Sequence, residues 1–188
     1  MNSIQKYFTA KNIYLFTIHL AVVLLAFEVI VISNQNKKLK EEQRMGGERG
    51  VAIKVGDTLT FGKLQSLGSS TSVDTLSPTL VFVFTTTCPF CKKNISQWKD
   101  IYRQVKSRIN IIAISVDAED KSRALITTDT INYPVSVSLD AKKFRETNHI
   151  SGVPATLLLD NGIVRNVWGG LLTDEQKAEI VATIPPTH

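Results

Sequence analysis

Cys88 and Cys91 are the only cysteines in 188 residues, and they lie three positions apart. A Cys-x-x-Cys pair can exchange disulfides or hold a soft metal. Zinc normally needs four ligands, or three plus water. The three histidines are His19, His149 and His188. His19 falls in a long apolar run and His188 is the last residue, so a closed zinc site lacks ligands. A copper site made of Cys88, Cys91 and His149 is the metal alternative, and with it a copper-delivery protein. A disulfide between Cys88 and Cys91 closes so small a ring that it constrains the unfolded chain little. Its value is chemical rather than structural.

The elements around the pair favour redox chemistry. Leu80-Val81-Phe82-Val83-Phe84 is a continuous apolar run, as expected of a strand buried on both faces. After Cys88-Pro89-Phe90-Cys91, apolar residues recur at helical spacing: Ile95, Trp98, Ile101, Tyr102 and Val105. Pro89 suits a first helical turn. Cys88 therefore sits at a helix start, where unpaired N–H groups and the positive end of the dipole favour thiolate over thiol. Cys91 lies one turn deeper on the same face. Cys88 is expected to form the mixed disulfide with a partner and Cys91 to resolve it. Phe90 would present an apolar surface to that partner. Lys92 and Lys93 read as solvated helix surface, or as company for a thiolate. Trp98 and Trp168 read as core, and His149 as a surface or capping residue.

A second signature is Gly152-Val153-Pro154-Ala155-Thr156, just ahead of an apolar strand. Pro154 there is either a plain turn proline or a cis proline against the Cys88 sulfur. In the second case the backbone of Val153 offers an edge to an extended partner chain.

The remaining pattern alternates strand and helix. Strands are expected at 109–116, 135–139, 155–159 and 163–168, the last two joined by Asp160-Asn161-Gly162 as a hairpin turn. Helices are expected at 118–129, 141–148 and from Thr173, whose Thr-Asp-Glu-Gln reads as a capped start, to about Ala182. Such alternation implies parallel crossovers plus a terminal antiparallel hairpin. The fold class is α/β: a central mixed sheet flanked by helices, preceded by a transmembrane helix.

That helix is Ile13–Ile32, twenty nearly all apolar residues, which at about 1.5 Å each span roughly 30 Å, a bilayer core. A cleavable signal would have a shorter core and a small-x-small site after it, but this run ends in Ser33-Asn34-Gln35-Asn36-Lys37. The expected organisation is a flank at 1–12, an anchor at 13–32, a polar linker or helical extension at 33–50, and a folded domain at 51–188. His19 and Glu28 lie inside the anchor, and neither needs a functional role there. Lys6 and Lys11 precede the anchor; Lys37, Lys38, Lys40 and Arg44 follow it, so flanking charge does not set orientation. The net charge is +5, but residues 51–188 carry fifteen Lys/Arg against thirteen Asp/Glu. So balanced a domain argues against a nucleic-acid partner.

The Cys-x-x-Cys at a helix start, the later Gly-Val-Pro before a strand and the Asp-Asn-Gly hairpin together resemble the thioredoxin superfamily. Within it the chain resembles the membrane-anchored TlpA/ResA-like branch. Val55-Gly56-Asp57, Ser115-Val116-Asp117, Tyr133-Pro134-Val135 and the strand–helix segment at about 134–148 fit that branch. The likeness covers roughly 51–184. It implies a thioredoxin-like fold, a cis Pro154, and a domain facing the periplasm or cell exterior. Its partners would be exported protein thiols or disulfides, apocytochrome c among the candidates, and a membrane or periplasmic redox partner. It implies no cofactor beyond the Cys88–Cys91 pair. Three positions depart from the family pattern. Thr87 stands where a Trp is usual, Phe82 where cytosolic thioredoxins bury a carboxylate, and Asn94 where ResA-like members carry Glu. With those carboxylates gone, Asp117, Glu119 or water are the candidate bases for Cys91. Pro89-Phe90 resembles glutaredoxin-like or oxidising sites, so the direction of electron flow stays open.

Overall fold

The computed structural model describes residues 10–47, 51–68 and 77–185, in two compact units divided near Glu42. Residues 1–9 of the expected flank, the linker end at 48–50, and Pro186 with the carboxyl tail lie outside the described residues. The described part of the first unit is helical: it belongs to α1 (Ala10–Gly47), which runs a few residues past that division. It does not stop at Ile32, so the backbone from 33 to 47 is helix rather than extended linker. Leu15–Asn34 is long and apolar enough to cross a membrane, with mean hydropathy 2.6 and its side chains exposed. His19 donates from Nδ1 to the Leu15 carbonyl at 2.7 Å, bonding back into its own helix.

The second unit holds a six-stranded sheet: β1 (Leu64–Ser66), β2 (Thr79–Phe84), β3 (Asn110–Ser115), β4 (Val135–Ser138), β5 (Ala155–Asp160) and β6 (Ile163–Gly169). The spatial order is β1-β4-β3-β2-β5-β6. β2, β3 and β4 are mutually parallel, and β1, β5 and β6 join antiparallel. Four helices complete the unit: α2 (Pro89–Val105), α3 (Glu119–Thr128), α4 (Ala141–Thr147) and α5 (Asp174–Thr183). This is the mixed, helix-flanked sheet that the alternation implied and the thioredoxin-like fold that the resemblance implied.

Period-two alternation along β2 divides its side chains between two cores. Leu80, Phe82 and Phe84 join Ile95, Trp98, Ile101 and Val105 of α2 and Ile180 of α5 on one face. Val81 and Val83 join Phe144 of α4, Ile150, Ile53 and Leu59 on the other. With both faces covered, β2 is buried throughout, which is why its sequence is unbroken apolar. The Phe82 ring stacks on Trp98 (centroids 5.0 Å, 12°), and the indole N–H donates to Thr156 Oγ at 3.0 Å. Trp98 and Trp168 are both core, as expected.

Sequence reading missed β1, three residues with no pattern of their own, which exist as a strand only by pairing with β4. The Val-Ser alternation of β4 does not mark a solvent face, since all four residues are buried in an interior strand. The hairpin turn is built as expected. Asn161 and Gly162 both take positive φ (52° and 74°), the type I′ pattern suited to Asn-Gly. Thr173 caps α5 through a full capping box with Gln176.

Candidate active site

β2 ends at Phe84, the loop Thr85-Thr86-Thr87 turns the chain, and α2 begins. Cys88 is the N-cap of α2, in extended backbone conformation, with Pro89 in the first turn. The cysteine sulfur plays the part an oxygen usually plays at an N-cap: Cys88 Sγ accepts the backbone N–H of Cys91 at 3.2 Å. Cys88 is half-buried and Cys91 is fully buried, both as free thiols. Burial pushes the Cys91 thiol well above the ordinary cysteine range, and its hydrogen bond and charge interaction with Cys88 push the same way. Backbone and side-chain hydrogen bonds from Thr85 pull in the opposite direction. One thiol is therefore accessible and the other is shielded and held protonated.

The loop before Cys88 is tied down from β3. Asp117 Oδ2 accepts both the backbone N–H of Thr86 and, at 2.7 Å, its hydroxyl. Glu119 accepts from Gln65 Nε2 at 2.9 Å and pairs with Arg123. Both carboxylates offered as bases for Cys91 are thus engaged elsewhere, Asp117 as a loop staple and Glu119 in tying β1 to α3. Sequence reasoning missed Thr85, whose only advance signal was a run of hydroxyl residues directly ahead of the cysteine pair.

Across the site, the Val153–Pro154 peptide is cis. Cys88 Sγ lies 3.6 Å from the Val153 carbonyl oxygen, as a donor to it. Val153 is half-buried and Pro154 buried. The structure thus brings Cys88, Cys91 and Val153 together. Phe90 is half-buried on the first turn of α2, with Lys93 Nζ 5.8 Å from its ring centroid, so Lys93 covers Phe90. Lys92 is exposed.

Asn94 is fully buried. Its Nδ2 donates to the Gly170 carbonyl and its Oδ1 accepts from the Leu172 N–H, both at 2.9 Å. An amide satisfies one donor and one acceptor at once, which an ionised carboxylate cannot do. Asn94 is therefore a clasp between α2 and the β6–α5 connection. Gly170 in turn donates its N–H to the Pro154 carbonyl at 2.9 Å, linking that clasp to the loop opposite Cys88.

His149 is exposed at the end of α4 in left-handed conformation (φ 51°). Among the described residues no three His, Cys, Asp or Glu side chains come together to hold a metal ion, so the copper site of Cys88, Cys91 and His149 is not assembled. The reason is topological: His149 leaves α4 on the exposed side and bonds, through its carbonyl, to Ala52.

Solved structures share this fold. The thioredoxin domain of a thiol-disulfide oxidoreductase from Bacteroides vulgatus aligns with TM-score 0.59 at 20% identity, over 71% of this chain and all of that one. A thiol-disulfide isomerase from Corynebacterium glutamicum gives 0.54 at 19%, over 72% and 94%. StoA from Bacillus subtilis gives 0.53 at 20%, over 69% and 96%. At these identities the likeness is one of fold. No curated protein sequence matches the chain. A family model does: the one described as AhpC/TSA matches residues 58–167, more than half of the chain, and runs from ahead of β1 into β6 with both signature motifs inside it. With fold and matched segment in agreement with the thioredoxin-superfamily resemblance, the chain belongs to the AhpC/TSA family of thioredoxin-like proteins.

Proposed function

We propose that this protein is a membrane-anchored thiol–disulfide oxidoreductase whose working residues are Cys88 and Cys91. The observation that carries the reading is the asymmetry of the pair. Cys88 is reachable, caps a helix and accepts the Cys91 N–H, while Cys91 is sealed behind it. The names of the structural neighbours point to the same chemistry.

The steps follow from that asymmetry. The Cys88 thiolate attacks one sulfur of a partner disulfide. A mixed disulfide forms and the partner's other sulfur leaves as a thiolate, which takes up a proton. Cys91 then loses its proton and attacks Cys88 Sγ. The Cys88–Cys91 disulfide forms, the second partner sulfur departs, and two electrons have passed to the partner. Run backwards, the same steps oxidise a partner dithiol. Val153, facing the sulfur at Cys88, serves as the backbone edge for an extended partner chain, with Pro154 fixing its end and Phe90 offering an apolar contact. The proton of Cys91 passes to water, since Asp117 and Glu119 are engaged, and the hydrogen bonds from Thr85 favour the thiolate left behind.

The apolar helix at 15–34 supports anchoring in a membrane. Disulfide chemistry supports placing the domain on its outer side, with exported proteins as partners. The test is trapping. Full-length Cys91→Ser should accumulate a mixed disulfide with a partner, and Cys88→Ser should not. Absence of any exchange with insulin or with a model dithiol would refute the reading. Measuring the reduction potential of the pair then assigns the direction of flow.

A further inference from the structure

The edge opposite Cys88 belongs to the five-residue segment 150–154, which leaves α4 and enters β5. Its downstream end is fixed by the Gly170 bond to Pro154 and by the pairing of Ala155 with Val83 and Gly169. Its upstream end is held by Ile150, whose side chain is buried in the core, and by the side chain of Arg145. Arg145, on α4, donates from Nε to the Ile150 carbonyl at 3.2 Å and from Nη2 to the Ser151 carbonyl at 2.9 Å. The Ile150 N–H returns a bond to the Arg145 carbonyl at 2.9 Å. The neighbouring Phe144 seats α4 in the core. Two residues beyond Ser151 stands Val153, whose carbonyl meets Cys88 Sγ. Gly152 lies between and adds no side chain to stiffen the path.

A guanidinium is a planar fork whose donors are fixed relative to one another, so it can hold two successive carbonyls at a set spacing. A lysine ammonium is a point donor on a flexible stem and cannot reproduce that spacing. An edge that pairs with an incoming chain binds best when it is already ordered, because ordering it on contact costs affinity. We propose that Arg145 is a positioning residue for partner binding: its two-carbonyl grip on Ile150 and Ser151 pre-orders the Val153 edge that receives the partner chain. This rests on the oxidoreductase reading above and adds a residue that no Cys-x-x-Cys or Pro motif contains.

The test compares a substrate that needs the edge with one that does not. Full-length Arg145→Met and Arg145→Lys are assayed with insulin, under dithiothreitol turnover, and with the small aromatic disulfide known as Ellman's reagent, which needs only the sulfur of Cys88. Arg145→Met should raise KM for insulin about tenfold, the factor that corresponds to ordering roughly one residue of backbone. Its kcat and its rate with the small disulfide should stay within about twofold of the parent. Arg145→Lys, which keeps charge and stem but loses the fork, should raise KM by a smaller factor. An unchanged KM in both variants overturns the proposal. So does an equal loss with both disulfides, which would mean general damage at the site. Should Arg145→Met fail to fold, the same ratio is read from Arg145→Lys. A parent protein that reacts with the small disulfide yet never turns over insulin would instead defeat the oxidoreductase reading, and this inference with it.

Discussion

Cys88 Sγ and the carbonyl oxygen of Val153 lie 3.6 Å apart although 65 positions separate them in the chain. A helix start brings one of them and the entry to β5 brings the other. Between them they put the accessible thiol in contact with the loop that enters β5.

The first prediction concerns the two thiols. Cys91 is fully buried and its thiol is held up by desolvation, so it should resist alkylation in the folded protein. At neutral pH iodoacetamide should modify Cys91→Ser, through Cys88, at least about tenfold faster than Cys88→Ser, the order expected when burial suppresses the reactive thiolate. Mass spectrometry of timed samples reads the difference. Equal rates would contradict the shielding.

Alkaline pH should destabilise the dithiol form. The Cys91 thiol and the Tyr133 phenol are both raised in the folded state, each by desolvation first. Above about pH 9 the unfolded chain releases these protons while the folded chain still holds them. The stability they contribute is therefore complete below the ordinary thiol and phenol values and is lost progressively as pH rises above them toward the raised folded-state values. Denaturant midpoints measured from pH 7 to 10.5 should fall, and fall less for Cys91→Ala than for the parent. A flat profile would sink the prediction.

Asn94 should prove structural. Asn94→Ala removes the partner of a buried carbonyl at Gly170 and of a buried N–H at Leu172. Each orphaned group costs about 1–3 kcal/mol, so a loss of roughly 2–6 kcal/mol is expected in chemical denaturation. Asn94→Glu, the residue of ResA-like relatives, should not restore stability, because a carboxylate cannot donate to Gly170.

Tyr133 offers the opposite case. Among the described residues its hydroxyl is buried without a hydrogen-bond partner, and its ring packs edge-on against Phe82 (5.6 Å) and Tyr102 (6.1 Å). Tyr133→Phe keeps the ring and removes the unsatisfied group. Thermal unfolding should show stability unchanged or raised by up to about 1 kcal/mol. A clear loss would mean that the hydroxyl has a role in the core.

Much of this molecule is written locally. The apolar run of α1, the unbroken strand β2, the helical stripe of α2 with Pro89 at its head, and the Asn161-Gly162 hairpin each follow from neighbours a few positions apart. So does the placement of Cys88 and Cys91, one turn apart at a helix start. Other features have no local pattern. β1 is a strand only because β4 lies beside it, and Asp117 is a staple only because β3 ends next to Thr86. The tie of Asn94 to Gly170 and Leu172 spans 76 and 78 positions, and the fork of Arg145 matters only because the loop it holds returns to Cys88. Side-chain periodicity records which face of an element is buried. It carries no record of which distant backbone group a buried polar atom will meet, and that is fixed only when the sheet order brings β2, β3 and β5 side by side.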